Sequence, residues 1–293
     1  MTPPAMASDS NHLLVQPAPL SDVVTEIAPA RGWRTLRLHE LWHYRELMSY
    51  LALRDIKLRY RQTFFGVAWA VLQPLLTMAI FAVAFGRVRL LGSDRVPYPV
   101  FALAGLVGWQ LFASALTQAS MSVLNESRLI TKVYFPRLLL PISACGPALL
   151  DFMISLAMFY FVAYVFGQSL RYGALLLPLL AILVVLAALS FSILLSALTI
   201  RFRDFRYIIP FVVQFLLFAS PVAYSADVIT GPHRALYWLN PMVPLLGYVR
   251  WALLGLRAPT ASEALPAAVL ALLALCFGLF YFRRTEASFA DVA

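Results

Sequence analysis

Lysine is almost missing from this chain: it occurs twice in 293 residues, as Ile56-Lys57-Leu58 and Thr131-Lys132-Val133. A phosphate-cradling P-loop ends in Gly-Lys-Ser/Thr, so the chain cannot hydrolyse ATP through that motif. Charge as a whole is scarce. Charged residues make up 13%, about half of what a soluble domain carries, while 61% of residues are hydrophobic. With a mean hydropathy of +0.79, only a multi-span membrane protein fits. The net charge of +9 is therefore no sign of nucleic-acid binding; its placement follows membrane topology. There are two cysteines, Cys145 and Cys276, far apart in apolar stretches, which excludes a disulfide framework and a thiolate metal site. Of the four histidines, His12, His39, His43 and His233, only His39 and His43 share a helical spacing. No carboxylate stands as a third ligand and no HExxH context surrounds them, so they read as a solvated face.

Residues 1–30 contain no lysine or arginine and no long apolar run. A secretory signal needs both, so none is expected, and 1–35 reads as a disordered cytoplasmic tail. Apolar segments follow at about 64–86, 99–124, 141–166, 173–200, 208–224 and 264–282. Most approach the roughly 20 residues that cross a bilayer as helix, although the fifth is short and stops at Ser220-Pro221. The stretch 225–258 is semi-apolar but contains Pro232, Pro241, Pro244, Arg234 and Arg250, and reads as short re-entrant or interfacial helices on the non-cytoplasmic side, the alternative being a seventh span. The expected fold is an all-α integral membrane protein with six transmembrane helices. Placing both termini inside puts sixteen of the 23 Lys and Arg on the cytoplasmic side: eight from Arg31 to Arg61, three in each of two loops, and Arg283 with Arg284. Seven fall outside, and that bias sets the orientation.

The stretch Leu51 to Pro74, LALRDIKLRYRQTFFGVAWAVLQP, runs a charge cluster straight into the first span. Upstream of the span, His43, Glu46, Tyr50, Arg54, Lys57 and Arg61 recur on one helical face, with Leu41, Tyr44, Met48, Leu51 and Ile56 largely opposite. Residues 36–62 are expected to form an amphipathic helix on the cytoplasmic membrane surface, with Arg54, Asp55, Lys57, Arg59 and Arg61 at its charged end. Residues 63–284 are the six-span domain and 285–293 a cytoplasmic end. The two inner loops, NESRLITKVYFPRLLLP from Asn125 and RFRDFRY from Arg201, are denser than connection alone requires and could seat on a soluble partner. Asp151 is the carboxylate deepest in an apolar segment. An ionised group there costs about 2.5–3.5 kcal/mol, so it should face the interior, either lining a path or bonded to a neighbouring helix. Aromatics reach 14%. Tyr98, Trp109, Trp238 and Tyr281 are expected in interfacial belts. Trp69, Phe81 and Phe85, with Phe159, Tyr160, Phe161 and Tyr164, are candidates to line a path or to pack against lipid and helices.

The segments RDIKLRYRQTFFGVAWAVLQP, YPVFALAGLVGWQLF, NESRLITKVYFPRLLLP, RFRDFRYIIPF, SPVAY, LNPM and FRRTEASFAD, in that order, resemble the membrane subunit of polysaccharide ABC exporters of the ABC-2 type. The resemblance spans about 45–293. It implies a homodimer paired with two copies of a separate ABC ATPase, in a bacterial inner membrane. ATP and Mg would be held on that partner, with no cofactor in this chain, and the cargo would be a lipid-linked glycan such as O-antigen. By the same resemblance, Asn125, Glu126, Arg128, Lys132, Tyr134 and Arg137, with Arg201, Arg203, Asp204 and Arg206, would seat on the ATPase. The interface-helix charges would lie beside them. The alternatives are a permease for a small lipid or an antibiotic, or a membrane enzyme of glycan assembly. Against the enzyme, the acidic residues are scattered singly, so no catalytic residue is expected.

Overall fold

The computed structural model describes residues 38–61, 67–86, 96–169, 171–286 and 289; the expected tail lies outside them. Among the described residues the chain is helical without strands. Leu38–His43 (α1) and Arg45–Arg61 (α2) come first, then Val67–Phe85 (α3) and Tyr98–Asn125 (α4). The one-turn Ser127–Ile130 (α5) and Leu139–Ser143 (α6) lead into Gly146–Val165 (α7). After a 3₁₀ turn at Tyr172–Leu176 come Leu177–Arg201 (α8) and Phe205–Ala219 (α9). A 3₁₀ turn at Ala226–Val228, Arg234–Tyr237 (α10), Met242–Leu254 (α11) and Ala261–Glu286 (α12) complete the order.

α4 is the centre of the protein. Its 28 residues span about 42 Å, it starts on prolines placed in its first turn, and nineteen of its residues are buried. It packs chiefly on α8 and α7, with α3 and α11 alongside. Helices in hydrocarbon gain little from apolar burial alone and rely on close approach, which small residues permit. Gly105 and Gly108 do this against α11. A Cβ at Gly108 would lie 2.9 Å from the Leu246 side chain, and one at Gly105 would lie 2.6 Å from both the Arg250 guanidinium and the Val222 carbonyl.

Among the described residues, five helical stretches are long and apolar enough to cross a membrane: Ala68–Phe85, Tyr98–Asn125, Leu139–Val165, Tyr172–Arg201 and Ala261–Glu286. They fall on five of the six expected segments. The remaining one departs from expectation. Instead of a span over 208–224, α9 begins earlier and ends at Ala219, covering about 22 Å. The cause lies in Ser220–Tyr224, which leaves the helix as a crook held by Arg250. That side chain is 4% exposed. It donates to the carbonyls of Val222 (2.6 Å) and Tyr224 (3.1 Å) and sits over the Phe101 ring at 3.8 Å. Asn240 holds the other side of the crook, donating to Ser220 Oγ at 2.9 Å. The stretch 225–258 folds as three short helical pieces, the last closed by Gly255 in the left-handed region at φ 68°.

The expected amphipathic helix is broken at Tyr44, giving α1 and α2 rather than one rod. Its faces also differ in one place. His43, Glu46, Tyr50, Lys57 and Arg61 are exposed, but Arg54 turns inward with Leu51. Two expected belt aromatics are displaced as well: Trp109 is 4% and Trp238 7% exposed, both inside the protein. Trp109 lies a dozen residues into α4, so its indole packs between helices.

Candidate transport path and coupling surface

A cavity of about 870 Å³ opens between α2, α3, α4, α7 and α9. α4 supplies Leu106, Trp109, Gln110, Ala113, Ser114, Thr117 and Gln118, and α9 supplies Pro210, Val213, Gln214 and Leu217. Both sets follow the three-then-four spacing of one helical face, so each helix turns a single stripe to the cavity. α3 adds Trp69, Gln73, Pro74 and Thr77. Amides and hydroxyls inside apolar helices cost free energy against lipid, and here they share one interior surface. Some are held by their own helix: Gln118 Nε2 donates to Ser114 Oγ at 2.6 Å, and Thr117 donates to the Ala113 carbonyl at 2.7 Å.

One end of the cavity carries its charges. Asp151 pairs with Arg59 at 2.7 Å and accepts from the Tyr60 hydroxyl. Burial pushes the Tyr60 phenol up to about 12, and the bond to Asp151 adds to that shift. Of the aromatics singled out in the sequence, Trp69 lines this cavity and is 55% exposed. Phe81 and Phe85 pair with each other at 6.1 Å, away from the lining. Phe159, Tyr160 and Tyr164 border a separate space of about 250 Å³ with Gln168 and Ser169, and Phe161 faces outward. The glutamines escaped sequence reading, although an amide inside an apolar run is a visible signal.

Beyond the C-terminus of α4, the loop from Asn125 meets α2. Arg54 makes a two-point contact with Glu126, Nη1 donating to Oε2 at 3.2 Å and Nη2 to Oε1, while Nε donates to Asp55 at 3.0 Å. The Glu126 hydrogen bond, then Asp55, raises the Arg54 pKa against the opposing effect of burial. Asn125, Arg128, Lys132, Val133 and Tyr134 are exposed, and Lys132, Val133 and Tyr134 line a 220 Å³ hollow together with Arg137. Arg137 itself is not exposed. Its backbone N–H donates to Glu286 Oε1 at 3.3 Å, its guanidinium to the Glu286 carbonyl, and the Phe289 ring lies 5.8 Å away. Phe289 packs edge-on against Phe282 at 5.2 Å, so the end of the chain clasps this loop. In the second loop Arg201, Arg203, Asp204 and Arg206 are all exposed, with Arg201 against the Phe202 ring at 5.4 Å. Lys57 and Arg61 are exposed on α2 beyond Arg54. No group of three or more metal-ligating side chains occurs among the described residues.

The opposite end of α4 is bounded by the Arg250 crook and an ion-pair network. Glu263 accepts from Arg234 at 2.9 Å, from Arg257 at 3.0 Å and from Thr260, and Arg257 also pairs with Asp227 at 3.0 Å. This ties the short helical pieces of 225–258 to the start of α12.

The sequence matches the ABC-2 type transporter family over residues 46–254. It is 30% identical over 254 residues to an O-antigen export system permease protein RfbA of Myxococcus xanthus, covering 85% of this chain and 96% of that one. A protein of the same name from Klebsiella pneumoniae is 28% identical over 213 residues, 71% of this chain and 80% of the relative. The polysialic acid transport protein KpsM of Escherichia coli is 22% identical over 241 residues, 80% and 92% of the two chains. With an all-helical membrane architecture and a match across most of its length, the chain belongs to the ABC-2 type transporter family of membrane permeases.

Proposed function

We propose that this chain is the transmembrane subunit of an ATP-driven exporter that moves a lipid-linked polysaccharide, of the O-antigen kind, outward across the bacterial inner membrane. The carrying observation is the cavity: a stripe of amides, hydroxyls and indoles on α3, α4 and α9, set within helices otherwise made for lipid. Such a wall offers donors, acceptors and apolar faces to sugar rings without a deep site that would trap one of them. Two copies form a homodimer and close the path between them, which gives a partner to the exposed apolar faces of α3 (Leu76, Ile80) and α9 (Phe211, Phe215). α9 is the fifth of the six spans of each protomer, short because it ends at the crook. The pieces of 225–258 form the outer gate, α1 and α2 lie on the cytoplasmic membrane surface, and both termini are cytoplasmic.

Energy enters from two copies of a separate ABC ATPase that hold ATP and Mg. The exposed set Asn125, Arg128, Lys132 and Tyr134, with Arg201, Arg203, Asp204 and Arg206, seats on them. Arg137 serves the chain's own C-terminus, and Glu126 passes movement to α2 through Arg54. The test is depletion in the native host while following lipid-linked glycan. Loss of surface polysaccharide with full-length chains accumulating on the cytoplasmic side is the expected result. Chains missing from both sides place the protein in assembly and overturn the proposal.

A further inference from the structure

Resting on the exporter reading, we infer that the path is built for an uncharged, hydroxyl-rich glycan and discriminates against a polyanionic one. Family membership leaves this open, because relatives named for O-antigen and for polysialic acid both match. The chain has 23 Lys and Arg and a net charge of +9, yet among the described residues Arg59 is the single cation lining the cavity. That cation is taken: it stands 2.7 Å from Asp151, the one carboxylate among the described lining residues, so the described wall carries no net charge.

What remains is neutral and bifunctional. Four of the seven glutamines in the sequence, Gln73, Gln110, Gln118 and Gln214, line the cavity from three helices. An amide offers a donor and an acceptor, which matches a hydroxyl in either direction. Gln118 is more selective. Its NH₂ is engaged by Ser114, so the acceptor Oε1 is the end left to meet cargo. That oxygen accepts from a hydroxyl and repels a carboxylate. A glycan with one carboxylate per sugar would lose part of its hydration in the path and meet no free cation in return. A neutral chain meets no such penalty.

The experiment uses the full complex, this chain with its ATPase, in proteoliposomes. The two probes are polymannose and polysialic acid of equal length on the same polyprenyl pyrophosphate. Expected is export of the polymannose about tenfold faster, equivalent to about 1.4 kcal/mol between the two barriers. Gln110→Lys with Gln214→Lys should narrow that ratio by speeding the anionic probe and slowing the neutral one. Gln214→Lys alone, on the more exposed α9, gives a second variant whose folding is checked by a monodisperse elution profile. Equal rates in the wild type overturn the inference and leave the exporter reading intact. A ratio unmoved by lysine in folded variants also overturns it, since selectivity would then lie outside this wall. Export of neither probe overturns the exporter reading itself.

Discussion

Arg250 is a buried cation with no carboxylate paired to it among the described residues, and the prediction is that Arg250→Met destabilises the protein although it removes a charge from the interior. The two hydrogen bonds to Val222 and Tyr224 have an ionised donor, a class of bond that contributes about 1.5–3 kcal/mol each. The contact with Phe101 adds about 1–2 kcal/mol when desolvated. Methionine fills much of the volume and relieves the desolvation cost of the guanidinium, which is several kcal/mol. It leaves the buried Val222 carbonyl without that donor, at about 1–3 kcal/mol. The balance is a loss of about 2–4 kcal/mol, or roughly 4–16 °C in Tm for a domain of this size. Arg250→Lys should recover little, because a point ammonium cannot span two carbonyls and a ring as a planar fork does. Gly105→Ala attacks the same brace from α4, since its Cβ would meet Nη2 and the Val222 oxygen at 2.6 Å. Overpacking of this kind costs about 1–3 kcal/mol. Combined with Arg250→Met it should cost less than the sum, because half of the clash disappears with the guanidinium. The assay is thermal unfolding in detergent followed by size-exclusion fluorescence. A Tm for Arg250→Met equal to that of the wild type would refute the brace, and strict additivity with Gly105→Ala would refute the shared contact.

Other outcomes follow from the opposite end. A double-mutant cycle of Arg54→Ala and Glu126→Ala should give a coupling energy of about 1–2 kcal/mol in unfolding, above exposed pairs because the contact is two-point and half-buried. Asp151→Asn should keep the fold, with a stability change of about 1 kcal/mol or less given how exposed Arg59 is, while export falls in a glycan-transport assay. Phe289→Ala should loosen the clasp on Arg137, read as faster hydrogen exchange over 130–137 with exchange near Arg250 unchanged. Pro210→Ala should melt at or above the wild-type temperature, since it restores a helix bond, yet export more slowly.

How much of this could be read from the sequence depends on the range of the forces involved. Apolar runs near 20 residues long announce spans because each satisfies its own backbone locally, and five of them became long helices. Ser220-Pro221 likewise signalled the early end of α9. The failures were long-range. Periodicity placed Arg54 on a solvated face because it describes an isolated helix; Glu126, 72 residues later, turns the side chain inward. The hold of Glu286 on Arg137 was equally invisible, because the two are 149 residues apart. Trp109 looked interfacial from its place in the sequence, but α4 is covered on most sides and the indole had no lipid to reach. The glutamine stripe was legible, since Gln73, Gln110, Gln118 and Gln214 each interrupt an apolar run.

These contacts also constrain how the path could change shape. α4 is pinned near its start by the Gly105–Arg250 approach and at its end by Glu126 on Arg54, and its length between is buried against α7 and α8. A close-packed helix fixed at both ends has no free volume to slide into. The other two stripe-bearing walls differ. α3 and α9 each bury little of their surface, and each carries a proline inside the helix, Pro74 and Pro210, facing the cavity. Proline removes one backbone hydrogen bond and opens the helix at that point, which makes bending cheap there and nowhere else along the wall. Movement delivered at the loops after α4 and α8, as the proposed coupling requires, would therefore be taken up by α3 and α9 bending against a fixed α4, widening the cavity without breaking its packed side. That is why Pro210→Ala should separate stability from transport, whereas Arg250→Met lowers stability first.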